Sequence, residues 1–214
     1  MMMGLSAAQL VASLDALAEI EPAIARGIER HGYPEPRIRA RGHETLLRTI
    51  IGQQVSVASA NAIWRRLEEA TGAGLDPVVL AAAPDDVLRG AGLSRQKIGY
   101  VKSLSELVAS GELDLMALPA DDEEAIAELT RIKGIGRWSA EIYLLFAEGR
   151  GDIWPAGDLA VQIEVGALLG HAERPSEKQV RALAEPWRPH RGAAAIFAWH
   201  HYGRRLAAAA KQPL

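Results

Sequence analysis

The sequence predicts an all-α fold, on three observations. Apolar residues recur at three- and four-residue steps along most of the chain, no segment alternates long enough to make a strand, and capping or breaking residues divide the apolar runs at helix lengths. Leu10, Leu14, Leu17 and then Ile20 to Ile24 continue one such run behind Ser6, a good N-cap, up to a break at Tyr33-Pro34. Leu46, Leu47, Ile50 and Ile51 form a second helix that ends near Gly52. Val57, Ile63, Trp64 and Leu67 form a third, with Ser56 placed to cap it. Short helices are expected over Asp76–Ala82 and after Pro84, the latter stopped by Gly90-Ala91-Gly92. Ser94 opens a helix through Ile98, Val101, Leu104 and Val108 that Gly111 ends. Helices around 121–129 and over Trp138–Phe146 follow, then about Asp158–Leu169, Ser176–Ala184 and Arg191–Ala210, about ten in all.

With 214 residues the chain can bury one sizeable core or two small ones, and 49% hydrophobic with 24% charged residues is an ordinary globular balance. Apolar stretches are interrupted by charges well short of a membrane span, and the segment Met1 to Ser6 lacks a basic region and a signal-like apolar run. No membrane association is expected, and the location expected is cytoplasmic. The absence of cysteine excludes disulfides, thiolate metal sites and iron–sulfur clusters. His200 and His201 are adjacent and diverge by about 100° on a helix, and the other histidines have no ligand spacing. Neither a catalytic metal nor another cofactor is expected.

The formal charge is −3, but its distribution is uneven. Residues 106–128 hold eight acids and no Lys or Arg, residues 31–66 hold six Arg against two Glu, and residues 171–214 hold eight Lys/Arg against three Glu. Such segregation leaves segments free to form a basic face for nucleic acid, or else simply places solvated helix faces.

The most informative stretch is Leu129-Thr-Arg-Ile-Lys-Gly134-Ile-Gly136-Arg-Trp138-Ser139, with Asp158 twenty positions after Trp138. Two glycines around one apolar residue, between helical segments, make a tight helix–hairpin–helix turn. Glycine admits positive φ and close approach to the backbone, and the bare amides of Gly134, Gly136 and the next helix start form an anion site. With Lys133 and Arg137 alongside, a nucleic-acid phosphate suits it.

This passage resembles the helix-hairpin-helix motif of the DNA base-excision glycosylase superfamily that carries a Gly/Pro-rich loop and a catalytic aspartate. Ile153-Trp-Pro155-Ala-Gly157-Asp158 supplies that loop and aspartate. Ile50 to Ala58, Gly92 to Tyr100, and Pro186 to Arg191 running to Trp199 resemble the 3-methyladenine DNA glycosylase II branch, so the likeness spans roughly 37–206. It implies two helical lobes with a DNA-binding cleft. One lobe would be 42–149, including the motif at about 121–148, and the other would join 1–41 to 150–214.

The resemblance implies a role for each matching residue. Asp158 would be catalytic; read alone it is first an N-cap for the helix from Leu159, its position after the hairpin favours the catalytic role, and the two roles are compatible. Asp152 is the competing carboxylate, read as a solvated loop residue. Trp138 and Trp199, otherwise core residues, would line the base pocket; Ile142 stands where some relatives carry a further pocket aromatic. Gln54 would be the wedge that fills the gap left by a flipped nucleotide, next to Gln53. Ser94, Lys97, Lys133, Gly134, Gly136, Arg137 and Ser139 would contact DNA. The carbonyls of Thr130, Ile132 and Ile135 could hold a structural monovalent cation. Bifunctional relatives place a Schiff-base lysine at the position of Trp138, so lyase activity is not expected.

The activity implied is excision of alkylated purines, such as 3-methyladenine and 7-methylguanine, from double-stranded DNA by a monomer. Two alternatives remain open at this point. One is the same fold acting on uracil or mismatched thymine, and the other is a helix-hairpin-helix protein that binds DNA without catalysis.

Overall fold

The computed structural model describes residues 4–209. Among them are twelve α-helices, one π turn and one 3-10 turn, and no strand. Clustered by contact, they form two compact units, one over Ala40–Tyr143 and the other over described residues 4–39 together with 144–209.

In the second unit, Ser6 and Gln9 form a reciprocal capping box that opens α1 (Ala7–Ile20). The expected single helix does not continue to Ile24. It stops at Glu21, and α2 (Pro22–His31) starts on a new axis. Proline has no N–H to donate and disfavours α geometry in the residue before it. Glu21 is accordingly extended, and its carboxylate accepts the Ala23 N–H. The apolar period runs through the corner because both helices bury the same core.

The first unit contains α3 (His43–Gly52), α4 (Val57–Thr71), α5 (Pro77–Ala82), α6 (Asp85–Gly90), α7 (Arg95–Ala109), α8 (Asp122–Thr130) and α9 (Arg137–Tyr143). Ser56, Asp76, Ser94 and Asp121 cap α4, α5, α7 and α8 with their side chains, each worth about 1 kcal/mol. Helix α7 packs on α3 and α5, so Val101 and Leu104 meet Leu46, Leu47, Ile50, Leu80 and Leu88 in a fully buried apolar core.

The expected helix over Trp138–Phe146 is also divided. Residues up to Tyr143 are α-helical, then Leu144–Glu148 widen into a π turn. The unit boundary lies at that change rather than at 149. Back in the second unit, α10 (Leu159–Leu168), α11 (Glu177–Leu183), the 3-10 turn Glu185–Trp187 and α12 (Arg191–Ala209) complete the chain. Residue 210, the expected end of the last helix, lies outside the described residues. Helices α10 and α12 pack against each other and α1 joins α12, burying Leu10, Leu14, Leu17, Val161, Val165, Ile196 and Phe197.

Candidate nucleic-acid interface and active site

The hairpin between α8 and α9 is pinned from beneath by Leu129, Ile132 and Ile135, all buried. Its upper side consists of backbone. Gly134 has φ +85°, and the Tyr100 ring lies so close that a Cβ there would sit 2.2 Å from Cδ2. Only glycine can occupy this position, for reasons of both φ and space. The Gly134 carbonyl accepts from the Gln53 side-chain amide at 2.9 Å, and the Lys133 N–H donates to Ser103 Oγ at 3.1 Å. Gly136 differs, for nothing lies within 4 Å of where its Cβ would be. No packing within the chain therefore requires glycine at 136, and the space is open to an approaching group. The Ile132 carbonyl accepts from the Ile135 N–H at 3.0 Å, leaving one lone pair for a cation.

Gln53, Gln54, Ser94, Lys97 and Gly134, five residues singled out by sequence from three separate segments, line one cleft of about 360 Å3 in the first unit. Tyr100 lines it too and had no sequence signal of its own. The turn after α3 forces Gln54 into the left-handed region at φ 55°. For a residue with a Cβ this costs about 1–3 kcal/mol, and such strain collects at functional sites. The Gln54 side chain is exposed and makes no hydrogen bond among the described residues.

The phosphate candidates divide. Lys133 is exposed, with no ion pair among the described residues. Lys97 donates to the Ile51 carbonyl at 2.7 Å, closing the end of α3 and using one of its three donors; burial lowers its pKa. Ser94 is committed as the cap of α7. Arg137 departs from expectation. Its Nε donates to the buried Glu141 and its two terminal nitrogens grip Glu123, which raises its pKa. A phosphate would have to displace Glu123. Ser139 is only 9% exposed and belongs to the packed face of α9. Trp138, one residue before it, is 46% exposed, not a core residue. Ile142 is buried, and the Tyr143 hydroxyl accepts from the Gly42 N–H at 2.8 Å.

In the second unit, the loop before α10 is anchored throughout. The buried Trp154 donates its indole N–H to the Val180 carbonyl at 3.2 Å and meets Trp187 edge-on at 5.7 Å. The Gln162 side chain donates to the Ala156 carbonyl, and the Asp158 N–H to that of Pro155. Asp158 caps α10, its Oδ1 accepting from the Val161 N–H at 3.0 Å. The same oxygen accepts from Trp199 Nε1 at 3.1 Å. One carboxylate at a helix N-terminus thus takes both the cap hydrogen bond and the indole N–H.

Trp199 thus offers its edge to Asp158. Its ring lies 5.7 Å from Phe146, and Arg37 stands over it at 5.3 Å. Neither Phe146 nor Arg37 was marked by sequence. Asp152 is not the solvated residue expected: Arg191 clamps both its oxygens at 2.8 Å and Arg188 joins them. Among the described residues no cluster of His, Cys, Asp or Glu could hold a metal. His43 is kept neutral by burial, its pKa lowered to about 4, and among the described residues no helix is long and apolar enough to cross a membrane.

Comparison with known proteins agrees with this layout. The chain is 34% identical over 161 residues to DNA-3-methyladenine glycosylase 1 of Schizosaccharomyces pombe, a match covering 73% of this chain and 71% of that one. Among solved structures, a DNA-3-methyladenine glycosidase from Bacillus halodurans superposes with a TM-score of 0.81 at 31% identity over 91% of each chain. The S. pombe 3-methyladenine DNA glycosylase in complex with abasic DNA gives 0.74 at 30% identity, over 88% of this chain and 95% of that one. The model of the HhH-GPD superfamily of base excision DNA repair proteins matches residues 47–189. The chain therefore belongs to the HhH-GPD superfamily of base excision DNA repair proteins.

Proposed function

We propose that this protein excises alkylated purines from double-stranded DNA by hydrolysing the N-glycosidic bond, with Asp158 as the catalytic carboxylate. The observation that carries the reading is the double anchorage of Asp158 Oδ1 by the Val161 amide and the Trp199 indole. It fixes a negative charge at the start of α10, twenty residues beyond Trp138. The names of the relatives, 3-methyladenine DNA glycosylases, supply the substrate class.

The chemistry asks for little more. Alkylation at N3 or N7 makes the purine cationic and a good leaving group. The C1′–N bond breaks through an oxocarbenium-like sugar, as in glycoside hydrolysis. Asp158 stabilises that charge and accepts a proton from the attacking water. Reaching C1′ requires the nucleotide to leave the stack. Gln54, exposed and already strained outward, is the residue suited to fill the vacancy, while the hairpin amides and Lys133 hold phosphates. With tryptophan at 138, the sugar meets no amine there to form a Schiff base.

The test is to incubate the protein with methylated duplex DNA and identify the released bases by chromatography. Release of methylated purines over intact abasic strands is expected. No release, with DNA still bound, would remove alkylated purines as the substrate and leave the non-catalytic binder or a glycosylase for uracil or mismatched thymine, which duplexes carrying those bases tell apart; borohydride trapping of a covalent complex would contradict the hydrolytic assignment.

A further inference from the structure

Two rungs join α10 to α12. At the first, Trp199 Nε1 donates to Asp158 Oδ1 at 3.1 Å. The second is built on Glu164, which is completely buried. Its Oε1 accepts from His201 Nδ1, and its Oε2 accepts from Arg205 Nε and Nη2, both at 3.1 Å. Asp158 and Glu164 are six residues apart, and so are Trp199 and Arg205. Six residues of α-helix rise about 9 Å, so the rungs keep step on both helices, with His201 between them in sequence. Helix α2 closes over His201: the His31 ring stands edge-on at 4.6 Å, and a Cβ at Gly27 would lie 3.3 Å from His201 Cδ2. Hydrolysis at Asp158 requires none of Glu164, His201 and Arg205 as a reacting group.

We propose that Glu164 is a positioning residue: with His201 and Arg205 it fixes the axial register of α12 on α10 that brings the Trp199 indole to Asp158. The proposal rests on the reading of Asp158 as the catalytic carboxylate. A buried ion group recovers little net stability after its desolvation, and the best-attested role of such groups is to select one register. This helix pair needs one selected. Ahead of Trp199 the buried residues of α12 include Ala193, Ala194, Ala195 and Ala198, and small side chains raise only shallow ridges against sliding. A slide of one residue is about 1.5 Å, enough to carry the 3.1 Å contact of Trp199 out of hydrogen-bond range. Glu164 resists a slide in either direction. His201 and Arg205 lie one helical turn apart and bond opposite oxygens of its carboxylate, so axial movement pulls on one or the other.

The experiment follows the full chain by single-turnover release of 7-methylguanine from duplex DNA and by the indole N–H resonances of nitrogen-15-labelled protein. The Trp199 resonance is the one lost in Trp199→Phe. Glu164→Gln keeps the volume and removes the charge. It is expected to lower the maximal rate about tenfold, the scale of one charge-assisted hydrogen bond, and to shift the Trp199 resonance. The protein concentration that gives half the maximal rate should not change. Arg205→Gln, at the exposed end of the cluster, should act in the same way but less, and decides the matter if Glu164→Gln does not fold; Arg205→Lys should restore part of the rate. In a Trp199→Phe background neither Glu164→Gln nor Arg205→Gln should cost further rate, because groups acting through one contact do not add. Losses that multiply in the double variants, or a Trp199 resonance that stays in place, overturn the proposal. So does an equal loss of rate in Leu17→Ala, a core variant in α1, which bears neither rung, for Glu164 would then be merely structural. A parent that releases no 7-methylguanine rejects the alkylated-purine reading, while the Trp199 resonance still decides whether Glu164 places the indole.

Discussion

Around Gly134 the first unit builds its cleft largely from backbone and neutral polar groups, with Lys97 and the Tyr100 ring among them, whereas around Asp158 the second unit uses tryptophans and ion-paired side chains. The cleft's tightest contacts are a glycine against the Tyr100 ring and the Gln53 amide on a carbonyl. The loop's are two tryptophans at right angles, an Asp152 clamped by two arginines and an Asp158 bonded twice. Binding phosphates needs a surface of amides that does not discriminate among sequences, and backbone supplies it. Stabilising a transient cation needs one charge held where it will be used, and that demands a rigid surround. The difference teaches where each half is most sensitive: side chains around Asp158 should matter most to chemistry, and the hairpin backbone around Gly134 most to binding.

The sharpest break is Asp158→Asn. Asparagine keeps the size and the capping of α10 but removes the charge. Base release should fall by at least about a hundredfold, the scale for deleting one preorganised electrostatic group, with little change in affinity for DNA. Near-parental single-turnover rates would remove Asp158 from the mechanism; circular dichroism on the same sample establishes that α10 still forms.

Trp199→Phe refines the same half. It keeps an aromatic ring but removes the pyrrole part of the indole, and with it the N–H that reaches Asp158. Hydrogen bonds to charged groups are worth about 1.5–3 kcal/mol, so turnover should drop by about tenfold or more without a matching loss of binding. An unaltered rate would mean that the Val161 amide alone orients the carboxylate and that Trp199 serves only through its ring.

In the first unit the corresponding test is Gly134→Ala. The added Cβ meets the Tyr100 ring and the residue must keep a φ of +85°. A loss of stability of about 1–3 kcal/mol is expected from the backbone alone, together with weaker binding of undamaged DNA. Pairing it with Tyr100→Ala removes the clash and should recover stability beyond the strain. If Gly134→Ala binds as the parent does, the hairpin is not the phosphate site.

How much of this was legible in the sequence follows the same division. The hairpin and Asp158 could be read because short-range spacing carries them: glycine at two close positions, and an aspartate opening an apolar helical run. Resemblance marked Gln53, Gln54, Ser94, Lys97 and Gly134, but neither that they share a cleft with Tyr100 nor that Lys97 would bond the Ile51 carbonyl or Glu123 occupy Arg137 could be read, since these depend on how distant segments meet. Arg37 follows a proline break, in a segment without periodicity, and only tertiary packing puts it on Trp199. The corner at Pro22 was visible as a proline, yet the apolar period continued across it and masked the turn. Nothing in the composition of Leu144–Glu148 distinguishes a π turn from an α turn.

The smallest expected effect tests whether the first unit stores strain for use. Gln54 holds φ 55° with a Cβ, in a turn between α3 and α4 where nothing hydrogen-bonds its side chain among the described residues. Gln54→Gly relieves that conformation while removing the side chain, whereas Gln54→Ala removes the side chain and keeps the strain. The glycine variant should therefore be more stable than the alanine variant, by about 1 kcal/mol in urea unfolding, the usual penalty of a left-handed residue. Both should lose activity on duplex DNA, where a vacancy must be held open against unstacking costs of a few kcal/mol, and keep it on any single strand they accept. Neither should change the salt dependence of binding, because no phosphate contact is lost; Lys133→Ala should flatten it instead. Should the glycine variant gain stability and retain full duplex activity, the strained glutamine would be a feature of the turn alone, and the first unit would contribute nothing to flipping beyond its grip on the backbone.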